Sequence, residues 1–428
     1  MRPFIMRLLH DRSGNFGIMT ALLLVPLLGT VGVAIDVQRA LNLRNELQNA
    51  ADAAAIGAIA AKSPAVKAAL ASNSAATTIG QEDARRMFLG QMADPDEEIL
   101  DDVQVELTKV GRELTAHVTF TATIPTTLLK VIGKQTITTG GTATASNTLG
   151  SYIDFYMLLD NTPSMGVGAT PDDISALERN TPDSCAFACH DKSDSNNYYN
   201  LAKKLKIDMR IDVVREATKE LTDTAAASMI LSDQYRMAVY TFGAKAEDAK
   251  LTKVSGLSSN MQTVSSYASA VDLMSIPKQN YNNDQTTDFD NALSELKTIM
   301  GTGGTGNTAS DRQKVVFFVS DGLGDSKKQY TCTKRTTGTR CQEPIDTSYC
   351  KPLKDKGIQI AVLYTTYLPL PKNAWYNNWI SPFQDQIATR MEQCASEGLF
   401  FEVAPGEGIS AAMNALFNKV IGRPRLTN

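Results

Sequence analysis

The chain has 428 residues, 43% of them hydrophobic and 21% charged, which is enough to bury a sizeable core in two or three domains. Its net charge of −4 argues against a nucleic-acid binder, which carries a basic face, and its 3 histidines argue against a His-rich metal site. All 6 cysteines lie after residue 180.

Arg2, Arg7 and Arg12 precede an uncharged run from Ser13 to Ile35, which closes at Asp36. Phe16 to Ile35 matches the ~20 residues that a helix needs to span a bilayer. The basic flank marks residues 1–14 as a cytoplasmic tail and sends the rest of the chain across the membrane. A cleaved signal peptide would show an apolar region of about 7–15 residues and a small-x-small site. Here the run is longer, and a helix-forming segment follows without a break. Cleavage of prepilin type after Gly14 would leave Met19 where such pilins usually carry glutamate. A retained anchor is therefore expected.

Val37 to about Lys62 continues the helix. Ala40, Leu43, Leu47, Ala51 and Ala54 recur at helical spacing, and the stretch from Gln48 to Ala55 is dense in alanine, the best helix former. The bland reading is a simple anchor with an Ala-rich stalk. Arg12-x-Gly14-Asn15, the apolar span and Leu47-Gln48-Asn49-Ala50-Ala51-Asp52-Ala53-Ala54-Ala55 together resemble the N-terminal region of TadE/TadG-like proteins. These are membrane proteins of the Flp (tight-adherence, Tad) pilus assembly systems of bacteria. The resemblance covers about residues 10–62, makes residues 15–62 a transmembrane helix continued by an Ala-rich helix, and implies partners among other Tad pilus components.

Residues 63–99 read as a linker, helical or loose, that contains a solvated acidic turn at residues 93–98. Val103, Val105 and Leu107 alternate, Gly111 offers a turn, and Leu114, Ala116, Val118, Phe120 and Ala122 alternate again. This pattern predicts a hairpin with one buried face. A short helical stretch from Pro125 to Gly133 and a Thr-rich strand from Gln135 to Ala145 follow. Residues 100–148 are expected to form a small β-rich accessory unit beside the main domain.

From residue 150 to 424 strands and helices alternate, which predicts an α/β fold with a largely parallel sheet covered on both faces. Strands are expected at residues 153–159, 235–242, 314–320, 358–364 and 399–403. Ile207, Ile211, Val214, Ala217 and Leu221 mark one face of a helix. Further helices are expected at residues 288–300, 383–396 and 409–420, with loop and helix from Val254 to Leu273. The run from Gly301 to Gly306 lacks a following Lys-Ser/Thr and so is a turn rather than a phosphate-cradling loop.

The strand from Ile153 to Leu159 ends abruptly at Asp160, and Thr162 and Ser164 follow at alternate positions. As the backbone turns, the three oxygen side chains fan toward one point. Hard oxygen ligands of this kind suit Mg²⁺, at the carboxyl end of a strand where open α/β sheets bind ligands. The alternative is that they only cap a turn and a helix, where Asp, Ser and Thr are common. A second apolar strand ends in Ser320-Asp321-Gly322, and a polar loop at Thr286-Thr287-Asp288 opens a helix.

These three pieces resemble the von Willebrand factor A domain and its metal-ion-dependent adhesion site. The family's Asp-x-Ser-x-Ser stands here as Asp160-x-Thr162-x-Ser164, its loop threonine matches Thr287, and its second aspartate matches Asp321. Threonine at 162 keeps the oxygen but adds a methyl group. The resemblance covers about residues 150–424. It implies a doubly wound, mainly parallel sheet and Mg²⁺, or another divalent cation, held by Asp160, Thr162, Ser164, Thr287 and Asp321. It also implies a partner protein whose acidic side chain completes the coordination.

The cysteines Cys185, Cys189, Cys332, Cys341, Cys350 and Cys394 fall on the side placed outside the cytoplasm, where an even count favours disulfides. Local closure suggests Cys185–Cys189 and Cys332–Cys341, leaving Cys350–Cys394. Cys185-Ala186-Phe187-Ala188-Cys189-His190 is one residue too long for a haem-attachment motif, and no compact four-ligand zinc cluster stands out.

The expectation is an inner-membrane protein with the bulk of its chain in the periplasm, held in the lipid bilayer by its N-terminal helix and binding no nucleic acid. Its expected role is metal-dependent protein binding in assembly or anchoring of a Flp/Tad pilus, not catalysis. A surface adhesin that binds host or matrix protein, and a structural minor pilin, are the alternatives. Neither His10 nor His190 forms a recognisable nucleophile–base arrangement.

Overall fold

The computed structural model describes residues 14–71, 78–92, 100–278, 286–328, 330–404, 406 and 408–422. The flank that carries Arg2, Arg7 and Arg12 and the acidic turn at residues 93–98 lie outside the described residues. The chain divides into two compact units, Met1–Leu149 and Gly150–Asn428.

In the first unit a single helix, α1 (Gly14–Ala58), runs for 45 residues. Its N-terminal half leaves Met19, Leu22, Leu23 and Leu27 each about 60% exposed or more. This helix is long and apolar enough to cross a membrane. Its C-terminal half behaves differently. Leu47, Ala50, Ala51, Ala54 and Ala55 are buried against Phe88, Val118, Phe120 and Ala143. Helices α2 (Pro64–Ala71) and α3 (Thr78–Gly90) bury Ala65, Val66, Leu70, Ala84 and Phe88. Strands β1 (Leu100–Val110), β2 (Glu113–Pro125) and β3 (Thr136–Thr148) form an antiparallel sheet in that order.

Of the helical and loose forms open to the linker, the helical one is found, as α2 and α3, and the β-rich stretch shares one core with the Ala-rich helix. The cause is the small alanine side chain. A helix face of alanines can lie close on a sheet, so this half of the helix is a packed element rather than a bare stalk. Polar contacts fix the arrangement: Gln48 donates from Nε2 to the Thr142 carbonyl at 2.9 Å. Asp36, 3% exposed, accepts from the backbone amides of Thr127, Leu128 and Leu129 at 3.1, 2.9 and 2.8 Å. Those amides open the 3₁₀ turn Leu129–Ile132, which Gly133 ends at φ +85°.

The second unit is built on β4 (Ile153–Leu159). An insertion follows that holds α4 (Pro171–Asn180), β5 (His190–Asp191) and α5 (Tyr198–Leu205). Then come α6 (Arg210–Ser228), β6 (Tyr235–Thr241), β7 (Thr252–Ser258), α7 (Met261–Ser269), β8 (Ser275–Ile276) and α8 (Phe289–Met300). The chain continues through β9 (Gln313–Ser320), β10 (Leu323–Lys327), β11 (Arg340–Pro344), α9 (Lys351–Lys354), β12 (Ile358–Thr365), α10 (Gln384–Cys394), β13 (Phe400–Val403) and α11 (Ile409–Val420).

The main sheet has six strands in the order β13-β12-β9-β4-β6-β7. All neighbours are parallel except β6 and β7. Side chains alternate between two cores. Tyr156, Leu158, Val316 and Phe318 pack with α8 and α10 on one face. Phe155, Met157, Val315 and Phe317 pack with α6, α7 and α11 on the other. Burial on both faces explains why β4 and β9 read as unbroken apolar runs. The antiparallel edge strand β7 lies where loop and helix were expected. Its sequence, Thr-Lys-Val-Ser-Gly-Leu-Ser, has a glycine at its centre and no long apolar run, which hides a strand that is covered on one side only.

Two of the expected disulfides form: the local Cys332–Cys341, with Cα atoms 5.8 Å apart, and the remaining pair Cys350–Cys394, at 5.3 Å. The expected Cys185–Cys189 bond does not form. Phe187, midway between them, bridges antiparallel to Val167, and Ala188 donates to the Gly166 carbonyl. A chain drawn out in this way separates residues four apart by about 13 Å, well beyond the ~7 Å limit for a disulfide.

Candidate functional site

β4 and β9 are neighbours at the centre of the sheet, and the strand order reverses between them. From β4 the chain builds outward to β6 and β7, then crosses to β9, β12 and β13 on the other side. The crevice at such a reversal, outside the carboxyl ends of the strands, is where open α/β sheets hold ligands. Asp160 is the first residue beyond β4, and Asp321 the first beyond β9.

All five residues expected at the site meet there. The Thr162 hydroxyl donates to Asp160 Oδ1 at 2.7 Å, and its backbone amide reaches the same oxygen at 3.0 Å. Thr287 donates from Oγ1 to Thr162 Oγ1 at 2.8 Å. The Thr162 and Ser164 hydroxyl oxygens lie 3.4 Å apart, and Ser164 stands beside Asp321, whose charged form it favours. Asp160, Thr162 and Asp321 are fully buried, while Thr287 is 3% and Ser164 8% exposed. The oxygens of the site are therefore covered, not open as a binding face would be.

Local structure explains how each side chain is held. Pro163 starts the 3₁₀ turn Pro163–Gly166, which places Thr162 and Ser164 on one side of a tight bend. Thr287 is fixed by its backbone. It exchanges two hydrogen bonds with Asp325, at 2.9 and 3.0 Å, on the first strand of the β10–β11 hairpin. The Asp325 carboxylate is in turn gripped by Arg340 and Gln342 from β11. Gly322 turns the chain out of β9 at φ +70°, a region that favours glycine.

Three contributors escaped the sequence reading. Ser320 donates to Asp160 Oδ2 at 2.5 Å. Asn161 ties the ends of β4 and β6 together, donating to the Gly243 carbonyl at 2.7 Å and accepting from the Phe242 amide at 3.1 Å. Arg210, at the start of α6, is fully buried and places Nη1 3.0 Å from Asp321 Oδ2. Ser320 and Asn161 flank the expected aspartates, so proximity could have flagged them. Arg210 carries no such signal, because arginine in the first turn of a helix ordinarily faces solvent.

The electrostatics follow from burial. Loss of solvent, and then the negative charge of Asp321, push the Asp160 carboxyl up to about 7, against the hydrogen bonds from Ser320 and Thr162. Burial also raises Asp321, while Arg210 and the Leu323 amide work the other way. Two carboxyl groups and three hydroxyls thus form an all-oxygen donor set, with the Arg210 cation beside it. That chemistry fits a small, hard divalent cation.

Residues 14–71 match the family model of putative Flp pilus-assembly TadE/G-like proteins. The N-terminal segment is therefore TadE/G-like. The match takes in all of α1 and α2 and none of the α/β unit. No curated protein matches the chain.

Among solved structures, proximal thread matrix protein 1 from the mussel byssus is similar at 12% identity and a TM-score of 0.36. The likeness covers 63% of this chain but only 48% of the mussel protein. The vWF domain of the type V pili tip protein Mfa5 from Porphyromonas gingivalis is similar at 11% identity and a TM-score of 0.36, covering 65% of this chain and 99% of that domain.

Proposed function

We propose that this protein is a membrane-anchored component of Flp/Tad pilus assembly or anchoring that binds a protein partner through a divalent cation. On this reading α1 lies in the bacterial inner membrane, with its apolar N-terminal half in the bilayer and the α/β unit in the periplasm. The two disulfides suit that oxidising compartment. The α/β unit is of the von Willebrand factor A type, doubly wound. The strand order of its six-stranded sheet, with one antiparallel strand at the edge, supports this assignment.

Asp160, Thr162, Ser164, Thr287 and Asp321 would hold Mg²⁺ or a similar cation. Such an ion supplies a strong positive centre with a coordination position for an acidic side chain of the partner. The reading is of a binding protein, not an enzyme. The observation that carries it is the convergence of oxygen side chains from three separated segments on one buried point between β4 and β9.

In-cell crosslinking followed by recovery of the full-length protein from solubilised membranes tests the proposal. Pilus components should crosslink to the wild type in Mg²⁺, and should be lost with chelator and in Asp160→Ala. Equal recovery of those components under all three conditions would contradict a metal-dependent role.

A further inference from the structure

The least expected group in the α/β unit is the Arg210 guanidinium. It is wholly buried, yet among the described residues its Nε and Nη2 have no hydrogen-bond partner. Only Nη1 is engaged, on Asp321. A guanidinium has five donors in a planar fork, and a well-satisfied buried arginine grips its carboxylate through two of them. Here the grip is single. The remaining support is the Tyr367 ring, with the guanidinium carbon 4.6 Å from the ring centre. A buried ion that is half satisfied is held against a desolvation penalty, so its displacement costs less than that of a fully paired one.

Position adds to this. Arg210 lies on the very carboxylate that the cation reading assigns as a ligand. Its backbone amide donates to the Val167 carbonyl at 3.0 Å. The same short segment, from Thr162 to Val167, therefore carries two site hydroxyls and the anchor of the arginine. The neighbouring Gly168 and Met209 are bridged as well. A shift of that segment would move the ligands and Arg210 together.

We propose that Arg210 determines the cation affinity of the site: its guanidinium and a divalent cation compete for Asp321. With Arg210 in place the site is closed and carries its own counter-charge. When a cation enters, Arg210 leaves the carboxylate. The inference rests on the cation-binding reading given above and names the residue that tunes it. It also accounts for the coverage of the site oxygens, since the closed state is the arginine-bound one.

The test is Mg²⁺ titration by calorimetry on full-length protein in detergent, comparing wild type, Arg210→Met and Arg210→Lys. Arg210→Met removes the competitor, and its affinity should rise by about tenfold or more, the scale set by removing a like charge a few ångströms from a divalent ion. Arg210→Lys keeps a charge but loses the planar stack on Tyr367, so its affinity should fall between the two. If Arg210→Met does not fold, Arg210→Lys carries the comparison alone. A second readout separates displacement from simple repulsion: in the wild type, Mg²⁺ should shift the Nε–Hε nuclear resonance of one buried arginine. Wild-type binding with unchanged or weaker affinity in both variants, or with no such shift, overturns the competition while leaving cation binding intact. Absence of Mg²⁺ binding in the wild type and in both variants overturns both, and marks Arg210 as a permanent counter-ion.

Discussion

Asp321 shows how much of the site depends on single side chains. Burial works against its charge, and the Arg210 guanidinium, the Leu323 amide and the Ser164 hydroxyl compensate. The residue after it must turn the chain sharply. A Cβ at Gly322 would lie 2.6 Å from Ile387 Cγ2 and 2.9 Å from Met391 Cγ, besides requiring positive φ. Gly322→Ala should therefore lower the unfolding free energy by about 1–3 kcal/mol, through backbone strain and crowding against α10. Urea denaturation checks this, and an unchanged midpoint would contradict it. At this scale the sequence is legible where a chemical residue interrupts a physical pattern. Asp160 and Asp321 stand out because each halts a long apolar strand. Arg210 does not, because only the fold-back of the insertion carries it from the start of a helix into the core.

Elements were legible in proportion to how completely they are buried. β4, β9 and β12, covered on both faces, have sequences that allow little else. The final helix, α11, has the bounds its apolar spacing predicts. β7 escaped because half of its surface needs no apolar side chains. The β10–β11 hairpin escaped because its work is polar, with Asp325, Arg340 and Gln342 locking the backbone that presents Thr287. In the first unit the alanines of α1 were read as a sign of helix, which is correct, but their packing role depends on a sheet that no local pattern reveals. Ala54 is fully buried in that contact. Ala54→Leu should overpack it and cost about 1–3 kcal/mol. A lowered melting temperature with unchanged helix content by circular dichroism is the expected result, and unaltered melting would show that the face is not tightly packed.

At the scale of the whole molecule, the two units divide the work. The first joins an exposed apolar helix to a small sheet, and the TadE/G-like match falls on α1 and α2. The second places an oxygen-lined site at the reversal point of a mostly parallel sheet. The central claim is that this site takes a divalent cation, and thermal melting of the full-length protein in detergent tests it most directly, with Mg²⁺ and with chelator, in wild type and Asp160→Ala. A cation at a hundredfold excess over its dissociation constant adds about 2.7 kcal/mol to the stability of the binding fold. The wild type should therefore melt several degrees higher in Mg²⁺ than in chelator, and Asp160→Ala should show no difference. Equal shifts in both proteins, or none in the wild type, would contradict the account.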